Sequence, residues 1–287
     1  MASDHMFASR GAGLTVALAL LVAPASQAWA QEVSVPLAPH RAIYDLSLGQ
    51  ARGSTQIVGV RGRILYDFDG SACEGYSLLF RQVSELQTEE GKQSMSDLRS
   101  TTWEGADAKS YKFTSENFVN SNLVDSVDGQ AEHDSSKTAI DLSKPQHKSL
   151  GLAAGLVFPT EHMVRAIEAA RAGKTILTFP VYDGSETGEK VFDTLTVIGK
   201  KIAPGERQHD DAAANEPKLA TLVRWPVTIS YFDRSAKPKD TEQTPAYAIS
   251  FELYENGISR ALSLDYNEFV VTGKLSSLEI KPTKPCP

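Results

Sequence analysis

Beyond residue 41 the chain is cut into short runs rich in Val, Ile, Thr, Tyr and Phe, separated by Gly, Asp, Asn and Pro at intervals too close for helices. This punctuation predicts strands over 42–48, 56–67, 74–87, 93–104, 109–117, 122–128 and 137–142, then 174–182, 190–202, 219–232, 246–254, 258–266 and 268–280. The expected fold class is mainly β, a many-stranded antiparallel sheet. One segment breaks the pattern. From Pro159-Thr160-Glu161, where Thr160 is expected to cap, Met163, Val164, Ile167 and Ala170 recur at helical spacing until Gly173, which predicts one amphipathic helix over 160–172.

The clearest local element is a hairpin at Asn256-Gly257, a pair that suits a two-residue type I′ turn. That turn sets Glu255 against Ile258 and, by counting outward, Phe251 against Leu262, Ile249 against Leu264 and Tyr247 against Tyr266. One face of the ribbon is then apolar, while Ser250, Glu252, Ala261, Ser263 and Asp265 face water. The segments 203–217 and 233–245 read as mobile surface insertions, and Leu150 to Leu156, apolar but broken by Gly151 and Gly155, as a short buried connection.

The first thirty residues read as a cleaved export signal: Arg10 supplies the positive region, Leu14 to Val22 the apolar core, and Ala28-Trp29-Ala30 the small-residue cleavage site, leaving Gln31 first. Met1 to His5, ahead of a second Met6, read as an appended leader. No apolar run approaches the ~20 residues that a transmembrane anchor requires. Residues 31–287 are expected to form a single domain in the bacterial periplasm. Export makes the cysteine count informative. Cys73 and Cys286 are the only two, and an oxidising compartment favours a bond between them over free thiols or intermolecular pairing. The net charge of −7 and the absence of any run of basic residues argue against nucleic acid or anionic lipid as partners.

Motifs of chemistry do not assemble. Gly173-Lys174-Thr175 resembles the end of a phosphate-binding loop, but the position that needs a leading glycine is Glu168, and the tripeptide follows a helix instead of preceding one. Asp67-Phe68-Asp69-Gly70 lacks the further ligands of a calcium loop, so it reads as a turn, as do Asp128-Gly129 and Asp183-Gly184. His40, His133, His147, His162 and His209 show no zinc-ligand spacing. His133-Asp134-Ser135 are adjacent and so cannot face one another as a hydrolase triad, and no nucleophile elbow is present. The reading is therefore a non-enzyme with no metal and no cofactor. Trp103, Trp225, Tyr231 and Phe232 are candidates for the lining of an apolar cavity, with a plain core as the alternative.

Several stretches together carry a family likeness: Pro39 to Leu46, Ser71 to Tyr76, Trp225 to Ile229, and Leu253 to Arg260. Through them the chain resembles the envelope integrity protein B family of alphaproteobacteria, formerly a domain of unknown function. The resemblance implies a periplasmic β-spiral, an incompletely closed barrel with one helix, and a disulfide at the positions of Cys73 and Cys286. It implies a role in envelope integrity and stress resistance without catalysis, and a periplasmic tetratricopeptide-repeat protein as a possible partner. The expected function is a partner-binding scaffold. The alternatives are a carrier or sensor of a lipid-like ligand held inside the curved sheet, and, third, a cell-wall hydrolase.

Overall fold

The computed structural model describes residues 35–53, 56–207, 209–235, 243–283 and 286. The export signal with its cleavage site at Ala30 and Gln31 lies outside the described residues, as does the middle of the 233–245 segment. Eight strands come first: β1 (His40–Ala51), β2 (Ile57–Ser71), β3 (Gly75–Thr88), β4 (Gln93–Glu104), β5 (Ser110–Val119), β6 (Asn122–His133), β7 (Lys137–Lys144) and β8 (Lys148–Ala153). The helix α1 (Pro159–Arg171) follows, then β9 (Ile176–Val181), β10 (Phe192–Ile198), β11 (Arg224–Asp233), β12 (Tyr247–Tyr254), β13 (Ser259–Asp265) and β14 (Phe269–Ile280).

Every neighbouring pair is antiparallel, and all fourteen strands lie in one sheet of order β8-β7-β6-β5-β4-β3-β2-β1-β14-β13-β12-β11-β10-β9. Two meanders are thus joined where the last strand pairs with the first, from His40 opposite Ile280 to Ala51 opposite Phe269. The sheet is not closed. Its edges, β8 and β9, are consecutive strands separated in sequence by α1, and Val157 bridges to β9 in the segment between them. Its N–H donates to the Pro180 carbonyl (2.9 Å), and its carbonyl accepts from the Tyr182 N–H (3.0 Å).

Strand alternation sends one residue in two to the interior face, where three apolar clusters form. One joins Ile167, Ala169 and Ala170 of α1 to Phe68, Tyr76, Trp225, Val227 and Ile229. A second fills the space beneath β1, β2 and β12 to β14 around Tyr44, Ile64, Leu264 and Leu275. The third packs Tyr111, Phe113, Val127 and Ile140 beneath the α1 entry segment, Leu156 and Phe158. At ~1.5–3 kcal/mol for each fully buried large apolar side chain, these clusters explain why one sheet with a single helix suffices.

Several sequence expectations are corrected by this structure. Leu150 to Ala153 is not a buried connection; it belongs to β8, a short, largely exposed edge strand paired to β7 from Lys137 opposite Ala153 to Leu142 opposite Lys148. Asp128-Gly129 is not a turn but lies inside β6, at a bulge against β7. Glycine is required there because a Cβ would stand 2.8 Å from the Asp141 carbonyl oxygen and 2.9 Å from the Phe113 ring.

The Asn256-Gly257 hairpin forms, but not with a two-residue turn. Tyr254 N–H donates to the Ile258 carbonyl and Gly257 N–H to the Tyr254 carbonyl, a three-residue loop with Gly257 at φ +87°. This shifts the near end by one residue, so Glu252 faces Arg260 and Leu253 faces Ser259. A bulge beyond Arg260, with Ala261 at φ +54°, then restores the expected pairing of Ile249 with Leu264. Gly257 is also held by contact, since a Cβ there would lie 2.7 Å from Leu37 Cδ2.

The described part of 203–217 is not a loose insertion. It contains a 3-10 turn, Ala212–Asn215, and with a second, Pro217–Leu219, it buries Ala213 and Leu219 in the second cluster. The expected strand 219–232 accordingly begins later, at Arg224.

Candidate functional site

An unexplained buried charge is a common mark of an active site, and the fold buries several polar groups, among them Glu104, His162, Arg224, Glu252 and Arg260. Glu104 ends β4 on the interior face, opposite Tyr111 of β5. Only 3% of it is exposed. Its Oε2 accepts the Thr160 N–H (2.7 Å) and its Oε1 the Glu161 N–H (2.8 Å). Thus the start of α1 is capped not by Thr160 but by a carboxylate from 56 residues earlier in the chain, while the local cap position, Phe158, supplies no side-chain bond. Burial pushes the Glu104 carboxyl up to about 7, and the two backbone donors pull against that rise. Both oxygens are occupied by backbone donors at the start of α1, which makes Glu104 a cap of that helix.

His162 follows directly in the first turn of α1, buried against the interior faces of β9 and β10. Its Nε2 lies 3.0 Å from Thr196 Oγ1 and its ring meets the Phe179 edge at 6.0 Å. Desolvation holds it down to about 4, with Arg165 adding to the effect, so it is a neutral imidazole near pH 7. His133 stacks on Phe158 with centroids 4.1 Å apart and pairs Nδ1 with Thr138 Oγ1, whereas Asp134 binds the backbone of its own turn. The residues of His133-Asp134-Ser135 therefore do not act together. Among the described residues no three His, Cys, Asp or Glu side chains converge on a metal site.

A second buried polar set anchors the 203–217 segment. Arg224 donates Nε to Glu252 (2.6 Å) and NH2 to the carbonyls of Glu206 and Arg207, and His209 Nε2 lies 3.1 Å from the other Glu252 oxygen. Arg260, 1% exposed, is forked onto Asp211 and also donates to Tyr254 Oη and the His209 carbonyl. The expected water-facing position of Glu252 is corrected by this set. The sequence holds the charges but no signal of their pairing, because Asp211 and Arg260 lie 49 residues apart.

The four aromatic residues singled out from sequence do not line a common cavity. Trp225 is core, 4% exposed, beside α1. Tyr231 is also on the interior face, stacked on Tyr247 at 4.6 Å and edge-on to Phe192. Trp103 faces outward, opposite Lys112, whose Nζ stands 5.6 Å from its ring centroid. Phe232 is outward too, one residue out of phase with Tyr231, and lines a shallow depression of about 440 Å³ with Pro180, Asp193 and Leu195. Another depression, about 520 Å³, lies over the β6–β7 bulge and is lined by Lys112, Asp128, Gln130, Asp141 and His147. The interior wall of β3 to β5 is mixed: half-buried Gln82, Ser96, Ser100, Thr102 and Ser115 alternate across the strands with Leu78, Phe80, Leu86, Leu98 and Val119 on the same face.

Cys73, in the turn after β2, is bonded to Cys286 in the C-terminal tail, with Cα atoms 5.7 Å apart across a sequence separation of 213. The bond ties the tail beyond β14 to the β2–β3 turn, beside the Lys281 ion pairs to Asp67 and Asp69. Among the described residues no helix is long and apolar enough to cross a membrane.

Comparison with known proteins agrees with this architecture. The cell envelope integrity protein EipB of Brucella abortus is 42% identical over 253 residues, which cover 87% of this chain and 86% of that protein. A crystal structure of a β-barrel-like protein of a domain of unknown function, also from Brucella abortus, superposes with a TM-score of 0.79 at 40% identity, covering 87% of this chain and all of that one. The family model described as EipB-like matches residues 31–282, and the chain belongs to that family.

Proposed function

We propose that this protein is a non-enzymatic scaffold of the bacterial periplasm that supports envelope integrity by binding partners on its outer surface, after removal of residues 1–30. The observation that carries this reading is how the interior is used. Where the curved sheet could enclose an apolar ligand, the space beneath β9 to β11 is taken by α1 and Trp225, and the apolar wall of β3 to β5 is interrupted by the hydroxyl and amide groups of Gln82, Ser96, Ser100, Thr102 and Ser115. The buried charges of Glu104, Arg224, Glu252, Asp211 and Arg260 are likewise spent on anchoring α1 and the 203–217 segment. The name of the Brucella relative supplies the envelope role.

Two open sheet edges and outward depressions are the surfaces on which a partner would sit, and edges with unpaired backbone groups are a common means of binding extended segments. A periplasmic tetratricopeptide-repeat protein is one occupant to test there. Mass spectrometry of organic extracts from protein purified without detergent separates scaffold from carrier. The scaffold reading expects no lipid near one molecule per chain. Reproducible stoichiometric lipid would replace it with the carrier reading.

A further inference from the structure

The exposed corner formed by β9 and β10 presents apolar side chains and cations together, although they are scattered in the chain. Ile176 and Val197 are direct cross-strand partners on the outward face, 61% and 44% exposed. On the same face the stripe continues through Thr178 and Leu195 to Pro180 and Phe232, the floor of the 440 Å³ depression, over about 13 Å along the strand at ~3.3 Å per residue. Beyond the end nearest Ile176, the backbone carries three lysines at the two chain segments that flank this corner. Lys174 immediately precedes Thr175, whose carbonyl accepts the Ile198 N–H (2.8 Å). Lys200 and Lys201 follow Gly199, whose N–H donates to the Pro226 carbonyl.

All three lysines are exposed, and none has a carboxylate within ion-pair distance among the described residues. The neighbouring acids are otherwise engaged or single: Glu255 is held by Arg171 (3.5 Å), Glu206 accepts the Ala203 N–H, and Glu168 stands exposed on the last turn of α1. The face is therefore locally basic on a chain whose net charge is −7. Because charges in physiological salt are screened over ~8 Å, the local patch and not the total decides what approaches it.

We infer that the Lys174/Ile176/Val197/Lys200/Lys201 corner docks this protein on an anionic phospholipid surface, the lysines meeting headgroup phosphates while Ile176 and Val197 enter the acyl boundary. Exposed apolar side chains are costly in water and are relieved in that boundary. Juxtaposed lysines supply the electrostatic attraction that a short apolar patch lacks. An acidic peptide laid along the β9 edge is the competing occupant. It is the weaker fit, because Pro180 has no N–H to offer and Val157 already covers the end of that edge, which leaves only the backbone groups of Ile176 and Thr178 facing outward. This inference goes beyond the scaffold reading and does not depend on it.

The test is co-sedimentation of the processed protein with vesicles of phosphatidylethanolamine and phosphatidylglycerol, against vesicles of phosphatidylcholine alone. Each lysine near an anionic surface contributes about a five-fold factor, so binding to the anionic vesicles should exceed binding to the neutral ones by more than ten-fold and weaken with salt. Lys200→Glu with Lys201→Glu should abolish that difference, whereas Ile176→Ser with Val197→Ser should weaken binding several-fold and keep the salt dependence. Lys200→Gln with Lys201→Gln serves as the milder pair if the charge reversal disturbs folding. Equal binding to both vesicle types, or anionic binding unchanged in the lysine variants, overturns the proposal. So does binding of a polyglutamate peptide, but not of vesicles, through the same lysines.

Discussion

At the scale of single residues, α1 is held by two buried groups whose protonation pulls stability in opposite directions. The Glu104 carboxyl is raised by burial to about 7, above its unfolded value near 4.5, so the fold holds that proton more tightly. Its contribution is complete below about pH 4.5 and is lost as pH rises through 7. His162 is held down to about 4 from 6.5, so its contribution is present above pH 6.5 and is lost as pH falls through 4. Each shift corresponds to on the order of 3 kcal/mol, and in the intact protein they largely cancel. Denaturant titrations from pH 4.5 to 7.5 should separate them. Relative to the parent, Glu104→Gln should gain stability as pH rises, and His162→Gln should lose it. Both variants running parallel to the parent would show that neither group titrates in this range. Neither role was legible beforehand: Glu104 looks like the last residue of a strand, and its bonds to α1 span 56 residues.

At the scale of elements, the strands were readable and the irregularities were not. A half-buried strand repeats every two residues, so runs such as 93–104 coincide with β4, and counting outward from Asn256-Gly257 reaches the true pairing of Ile249 with Leu264. The count fails nearer the turn, since a three-residue loop and a compensating bulge leave no mark on hydrophobic alternation. β8 is hard to read for another reason: Leu150 and Leu152 do alternate inward, but two residues beside Gly151 are too short a pattern to separate an edge strand from a connection. The 203–217 segment misled through its composition, because acidic and alanine-rich residues resemble a solvated loop until Asp211 meets Arg260.

That pair separates anchoring from decoration. Asp211 and Arg260 side chains are 4% and 2% exposed, whereas the neighbouring Asp210 pairs with Lys274 in full solvent. Asp211→Ala leaves a buried guanidinium without its carboxylate and should cost about 3–5 kcal/mol in chemical denaturation. Asp210→Ala should cost no more than about 0.5 kcal/mol. Equal effects would mean that the segment contributes nothing as an anchor.

At the scale of the molecule, the organising feature is the pairing of β1 with β14, which joins two meanders into one ribbon and leaves β8 and β9 as its edges. Local sequence carries no trace of a pairing between the first and last strands, so only the family resemblance pointed to an incompletely closed spiral. The Cys73–Cys286 bond closes a loop for which the chain-entropy relation gives at most ~5 kcal/mol, and it fastens the tail that follows β14. The central claim, that the protein acts in the envelope after export, is tested most directly by deleting its gene in the native host and measuring survival under detergent and cell-wall antibiotic. The deletion strain should be sensitised and restored by the full chain, but not by the chain lacking residues 1–30. Survival equal to the parent, or full rescue by the leaderless chain, would contradict it.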